Sequence, residues 1–188
     1  MYKGLVRLNQ IRLAVFCFTF FYTVAGGAQS RNLSTIPFLQ VTGGVIIVQA
    51  QLLPFPDTLQ FIFDTGSSGI SLDSTTVSYL GLAPKNTGQL IRGVGGIRAV
   101  QSLENKSLKL GSLQIDSLNF YVNDYTVLTS NYGVRIDGVI GYAVMSRFII
   151  QVNYDKQEIE FYTPGGVLYP RRGALLRPQI NKLPAHLS

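Results

Sequence analysis

The feature that most constrains the fold is a short apolar run that leads directly into a turn of glycine and hydroxyl residues. Residues 61–73 read Phe-Ile-Phe-Asp-Thr-Gly-Ser-Ser-Gly-Ile-Ser-Leu-Asp. The first three residues favour a strand that is buried on both faces, because they are β-formers with no polar residue among them. We therefore expect the carboxylate of Asp64 to sit at a fixed place, in a rigid, hydrogen-bonded and half-desolvated site.

The turn itself has the residue types that hold a carboxylate. Gly66 and Gly69 permit sharp turns and close backbone approach. Hydroxyl donors within reach of position 64 are Thr65, Ser67 and Ser68. An ordinary solvated turn is the alternative, since Asp and Gly favour turns, but the apolar strand before the turn and the alternation of residues 70–73 after it favour a functional carboxylate.

The segment Asp64-Thr65-Gly66-Ser67-Ser68 resembles the active-site motif of the aspartic peptidases, which is Asp-Thr/Ser-Gly at the end of an apolar strand. The resemblance implies that Asp64 is catalytic and that the next three residues support its loop. Thr65 would brace two such loops across an interface, Gly66 would give the backbone room, and Ser67 would hydrogen-bond the outer carboxylate oxygen.

The second half of the chain extends this resemblance. Val139-Ile140-Gly141 is similar to the hydrophobic-hydrophobic-glycine element of retropepsin-like domains, which close with a short helix and a terminal hairpin; here Tyr142 to Phe148 and residues 148–162 fit those parts. The resemblance covers roughly Ile36 to Pro164. It implies an all-β, retropepsin-like closed β-barrel with a flap hairpin and one short helix. Asp137 lacks the Thr-Gly-Ser surroundings and is interpreted as structural.

A glycine-rich hairpin lies between these two elements. Residues 90–100 place Gly93, Val94, Gly95 and Gly96 at the tip of two short strands. The segment has no Gly-Lys-Ser/Thr ending, which argues against a nucleotide loop, while an ordinary surface hairpin stays an alternative. In the resemblance these four residues form the flap over the substrate. The absence of a tyrosine in the segment makes the chain more similar to the single-lobe, retroviral-type branch.

The N-terminus is typical of an export signal. Lys3, Arg7 and Arg12 precede an uncharged stretch with a short apolar part, which ends in small residues at 25–28. The predicted domains are a signal peptide at 1–28, the protease domain at 29–164 and a tail or linker at 165–188. The expected location is periplasmic or extracellular. The alternative is a retained membrane anchor, although the apolar run is short of the roughly 20 residues that a spanning helix needs.

Composition excludes several other functions. Hydrophobic residues make up 46% and charged residues 14%, which indicates a globular chain with a core rather than a disordered one. The three basic leader residues account for half of the net charge of +6, so a net charge of +3 remains and no nucleic-acid groove is indicated. Cys17, the only cysteine, lies in the leader. No disulfide, metal site or cofactor is expected.

Peptide hydrolysis in this family needs two aspartates, and the sequence offers one such motif. The simplest solution is a homodimer in which Asp64 of each subunit meets on the twofold axis. We therefore expect an aspartic endopeptidase acting on extended peptides, with apolar pockets. Two alternatives stay open: one lobe of a two-lobed enzyme, for which residues 165–188 would be the linker, or a non-catalytic peptide-binding module.

Overall fold

The computed structural model describes residues 30–93, 96–165 and 174, and residues Ser30–Pro164 form a compact unit. Most of the described residues lie in strands. In chain order the strands are β1 (Asn32–Val41), β2 (Val45–Leu53), β3 (Thr58–Phe63), β4 (Ile70–Asp73), β5 (Lys85–Gly93), β6 (Gly96–Leu110), β7 (Leu113–Asn123), β8 (Gly138–Ile140), β9 (Ile149–Asn153) and β10 (Glu158–Tyr162). The short helices are α1 (Ser74–Tyr79), α2 (Thr126–Tyr132) and α3 (Tyr142–Met145), and a single 3₁₀ turn spans Thr42–Gly44.

Six strands close into a barrel in the order β6-β7-β4-β8-β3-β2. The barrel is closed by antiparallel pairing of β2 with β6, where Leu52 lies opposite Leu108. Full closure removes the unpaired strand edges that an open sheet would expose. The predicted all-β closed barrel is therefore confirmed.

The remaining strands extend the barrel at both sides. The first half of β1 pairs with β10, its second half pairs with β2, and β9 follows β10 as an edge strand. On the other side β5 pairs with β6 as the predicted hairpin, with Gly93 opposite Gly96. Val94 and Gly95, at the expected tip, lie outside the described residues.

The barrel core explains the apolar run of β3. Phe61 and Phe63 point into the main core, which also holds Phe120 and Phe161, while Ile62 points to the opposite face. There Ile62 joins a second cluster with residues of β2 and β8, and side chains of α2 pack over it. Burial on both faces, as predicted, stabilises the strand by about 1.5–3 kcal/mol for each large side chain.

The structure differs from expectation in the number of helices. One short helix was expected, and α3 lies within its segment, 142–148, but the described residues also form α1 and α2. Strand β7 continues through a bulge where Ser117 has a positive φ of 57°. The expected terminal hairpin is formed by β9 and β10.

The leader and most of the tail lie outside the described residues, so the domain boundaries at 28/29 and 164/165 stay predictions. In the described part of the chain, every helix is too short or too polar to cross a lipid bilayer.

A glycine in β8 provides the first test of this packing. A Cβ added to Gly138 would lie 2.2 Å from the Ser71 carbonyl oxygen and 2.6 Å from a Phe61 ring carbon. We expect Gly138→Ala to lower the free energy of unfolding by about 3 kcal/mol, because both neighbours belong to adjacent barrel strands. Gly43→Ala is the control: Gly43 has a φ of +80° but open space around it, so the expected cost is about 1 kcal/mol. Equal losses in urea denaturation would contradict this account.

Candidate active site

The Asp64 loop is fixed by backbone hydrogen bonds at both of its ends. At the start, β3 runs parallel to β8, and the Asp64 N–H donates to the Ile140 carbonyl at 2.9 Å. At the end, the Ser67 carbonyl accepts from the Tyr142 N–H at 2.8 Å. Because β8 lies between β3 and β4, one short strand sets the position of the whole loop.

Gly141 explains why the loop lies so close to β8. A Cβ at this position would lie 2.3 Å from the Ser67 carbonyl oxygen and 2.4 Å from that of Gly69. Only glycine allows the chain to pass under the loop at this distance. The segment Val139-Ile140-Gly141 therefore holds the Asp64 loop in place.

The Asp64 carboxylate itself is exposed in the single chain. Its Oδ1 accepts a hydrogen bond from the Gly66 N–H at 2.8 Å, and its backbone carbonyl accepts one from the Ser67 N–H at 3.3 Å. The half-desolvated environment expected from the sequence is therefore not present within one chain. The chain presents this carboxylate outward on a fixed support.

The supporting residues Thr65, Gly66 and Ser67 all lie in this loop, as the sequence predicts. Within the described part of the chain the Ser67 hydroxyl makes no hydrogen bond to Asp64, and the donor that reaches the carboxylate is Gly66 N–H. Thr65 is exposed beside Asp64. The roles of Thr65 and Ser67 stay predictions for an assembled site.

Asp137 is buried with 3% exposure and uses its carboxylate for internal contacts. It accepts hydrogen bonds from the Gln60 N–H at 2.8 Å and the Thr76 hydroxyl at 2.7 Å. It also forms an ion pair with the half-exposed Arg135, with 2.8 Å between Nε and Oδ1. This carboxylate joins β3, α1 and the segment before β8, in agreement with the structural interpretation from the sequence.

Asp73 is a second buried carboxylate, and sequence reasoning did not single it out. It caps α1 by accepting from the Thr75 N–H, the Thr75 hydroxyl and the Thr76 N–H. Its other oxygen accepts from the Tyr125 N–H at 2.8 Å. An Asp at a strand end, followed by Ser-Thr-Thr, is a helix N-cap signal that could have identified the capping role. The contact to Tyr125 is long-range and has no local signal.

A cleft of about 330 Å³ lies beside the Asp64 loop, and Ser67 is the first residue of the chain that lines it. It is lined by residues 67–71, by Leu90 of β5 and by the end of β7 with Tyr125. Of the four predicted flap residues, Gly93 and Gly96 lie in the hairpin to which Leu90 belongs. The cleft therefore lies between the Asp64 loop and this hairpin strand.

Within the described residues, no three His, Cys, Asp or Glu side chains converge as a metal site. The expectation that the protein needs no metal or cofactor stays a prediction.

Part of the chain matches a known family of proteins. The family model described as "Aspartyl protease" matches residues 56–144, a range that contains the Asp64 loop, the hairpin and β8. Among solved structures, the chain is similar to a retropepsin-like aspartic protease from Rickettsia conorii, with 15% identity and a TM-score of 0.47 over 72% of this chain and 95% of that one. No curated protein sequence matches the chain.

The chain is thus similar to aspartyl proteases over residues 56–144, and its described residues form a closed six-strand β-barrel. The family supports a peptidase-like function.

Asp73 provides a test of how the site is supported. We expect Asp73→Ala to lower the free energy of unfolding by about 3 kcal/mol, because it leaves the buried N–H of Thr76 and the half-buried N–H of Tyr125 without their acceptor. The matched control is Asp155→Ala, which removes an exposed carboxylate in the β9–β10 turn and should change stability by less than about 0.5 kcal/mol. Thermal or urea unfolding measures both, and an Asp73→Ala loss as small as that of the control would contradict the proposed support.

Proposed function

We propose that the protein is an aspartic endopeptidase that works as a homodimer, with Asp64 of each subunit forming the catalytic pair. The observation that carries the proposal is the state of Asp64 in the single chain. Its carboxylate is exposed on a loop that is fixed at both ends, and its hydrogen-bond partner is the Gly66 N–H. The two buried aspartates, Asp73 and Asp137, are occupied by internal contacts.

The chemistry follows from bringing two like charges together. Two carboxylates at hydrogen-bond distance cannot both ionise, so the pair holds one proton and one negative charge, with a water between them. The ionised member takes a proton from the water as the water oxygen attacks the peptide carbonyl carbon. The neutral member donates its proton to the developing oxyanion. Breakdown of the tetrahedral intermediate returns a proton to the leaving amine nitrogen.

Loop geometry supports a twofold arrangement of this kind. Thr65 is exposed next to Asp64, where its side chain is free to contact the same loop of a second copy. Such an isologous contact places equivalent residues against each other. A Cβ at Gly66 would lie 3.2 Å from Asp64 Oδ1, so glycine keeps the space beside the carboxylate clear.

We also propose that the protein is exported to the periplasm or the cell exterior. The support is the order of residues 1–28, in which basic residues, a short apolar run and small residues follow one another. The peptide substrate would then be met outside the cytoplasm, and membrane contact would come only through an uncleaved leader.

Asp64→Asn tests the catalytic assignment. We expect peptide cleavage to fall by about 10²–10⁴-fold, because the amide cannot exchange the proton that the pair needs. Stability should change by less than about 0.5 kcal/mol, since the side chain is exposed and the amide oxygen still accepts from Gly66. The matched control is Asp155→Asn, which removes one exposed negative charge elsewhere. The assay is cleavage of a mixed peptide library, and retained cleavage in Asp64→Asn would reject the assignment.

The dimer is tested by sedimentation of the chain from Gln29 onward across a range of concentrations. We expect twice the chain mass at the concentrations where cleavage occurs. Mixing wild type with Asp64→Asn sharpens the test. If each site needs two wild-type chains, the activity is proportional to the square of the wild-type fraction. A strict monomer with no activity would favour the incomplete-lobe or peptide-binding alternative, and an active monomer would refute the shared site.

A further inference from the structure

We propose that Tyr125 and Ser71 form a selectivity site for a carboxamide side chain, Asn or Gln, of the bound peptide. This inference deepens the proposed function and rests on it, since it assigns the cleft beside Asp64 to one substrate side chain. Apolar substrate pockets were expected from the sequence, whereas this proposal assigns a polar pocket to the cleft.

The cleft contains a connected pair of hydroxyl groups. Ser71 Oγ and Tyr125 Oη lie 2.6 Å apart, and the Asn123 Nδ2 group donates to Tyr125 Oη at 3.1 Å. Ser71 is buried with 6% exposure, whereas Tyr125 and Asn123 are half-buried and face the cleft. The three side chains come from β4, the end of β7 and the segment before α2.

Counting hydrogens shows what this group offers to a ligand. Two hydroxyls carry two hydrogens, and the bond between them uses one, whichever is the donor. Asn123 carries two amide hydrogens and supplies one of them to the tyrosine oxygen. Within the described part of the chain the second hydroxyl hydrogen has no acceptor, so one hydroxyl donor is left for a peptide side chain.

The same group offers an acceptor. One N–H of the Asn123 amide is used in the bond to Tyr125, and the amide oxygen of Asn123 has no donor among the described residues. A free hydroxyl donor beside a free amide oxygen matches a carboxamide, which carries one acceptor and one donor group.

Charge favours a neutral side chain over an acidic or basic one. The described residues that line the cleft are serines, a glycine, tyrosines, an asparagine and two aliphatic residues, none of them charged. A carboxylate or an ammonium group placed here would lose water without gaining a counter-ion. An aliphatic side chain would leave the hydroxyl donor unpaired.

The position of Tyr125 is fixed by a contact outside the cleft. Its backbone N–H donates to Asp73, the buried carboxylate that caps α1. Replacing the tyrosine by phenylalanine removes the hydroxyl and keeps this backbone contact. Tyr125→Phe is therefore a clean removal of one member of the pair.

The test measures peptide binding and cleavage separately. Asp64→Asn is incubated with an immobilised peptide library in which each position is varied in turn, and wild type is assayed for cleavage of the same peptides. We expect one position at which Asn or Gln is preferred over Leu and Glu by about fivefold to tenfold, the effect of one net hydrogen bond. Adding Tyr125→Phe and Ser71→Ala together should bring the ratio close to one, because either change alone leaves one hydroxyl hydrogen free.

Tyr154→Phe is the control, because it removes an exposed hydroxyl in the β9–β10 turn, and it should leave the ratio unchanged. Peptide binding or cleavage without a carboxamide preference, or with a preference that survives removal of both hydroxyls, would overturn the inference while the proposed function stands. A chain that neither binds nor cleaves any peptide would reject the proposed function and the inference together.

Discussion

The position of the candidate active site depends on one structural constraint, the insertion of β8 between β3 and β4. Strand β8 is three residues long, yet it pairs in parallel with β3 and antiparallel with β4. The Asp64 loop connects these two outer strands, so β8 fixes both of its ends. Gly138 is the first residue of the strand and Gly141 follows its last, and neither has room for a side chain. The position of the loop is therefore set by backbone contacts.

Two buried carboxylates support this arrangement. Asp73 and Asp137 each accept several hydrogen bonds from separate elements, and the Asp73 N–H also donates to the Asp137 carbonyl at 2.7 Å. Buried charges are tolerated only where such partners compensate the loss of water. The two residues therefore join β3, α1 and the start of α2 behind the site, whereas Asp64 lies in front with its charge directed to solvent. The three aspartates of this region thus have different tasks, which follow from their burial.

The sequence predicted those parts of the fold that depend on local chemistry. The apolar residues of β3, the glycines of the Asp64 loop and the Val139-Ile140-Gly141 element each carry a local pattern, and the structure places them together as expected. Helix α2 was missed because its role is to cover the outer face of β3 and β8, and tertiary packing rather than a strong helix signal determines it. The link between Asp73 and Tyr125 spans 52 residues, so no pattern in the sequence could have indicated it.

If Asp64 acts as proposed, its exposure in the single chain has a consequence for regulation. Under the proposed dimer, desolvation of Asp64 and formation of the catalytic pair occur in the same step, which is association. Two unit charges about 4 Å apart repel by about 4 kcal/mol at an effective dielectric constant of 20, so the pair forms more readily when it binds one proton. Assembly and the acid-base state needed for hydrolysis would therefore arise together. In a dilute or cytoplasmic chain, the water-exposed Asp64 would lack the second aspartate and would not cleave peptides.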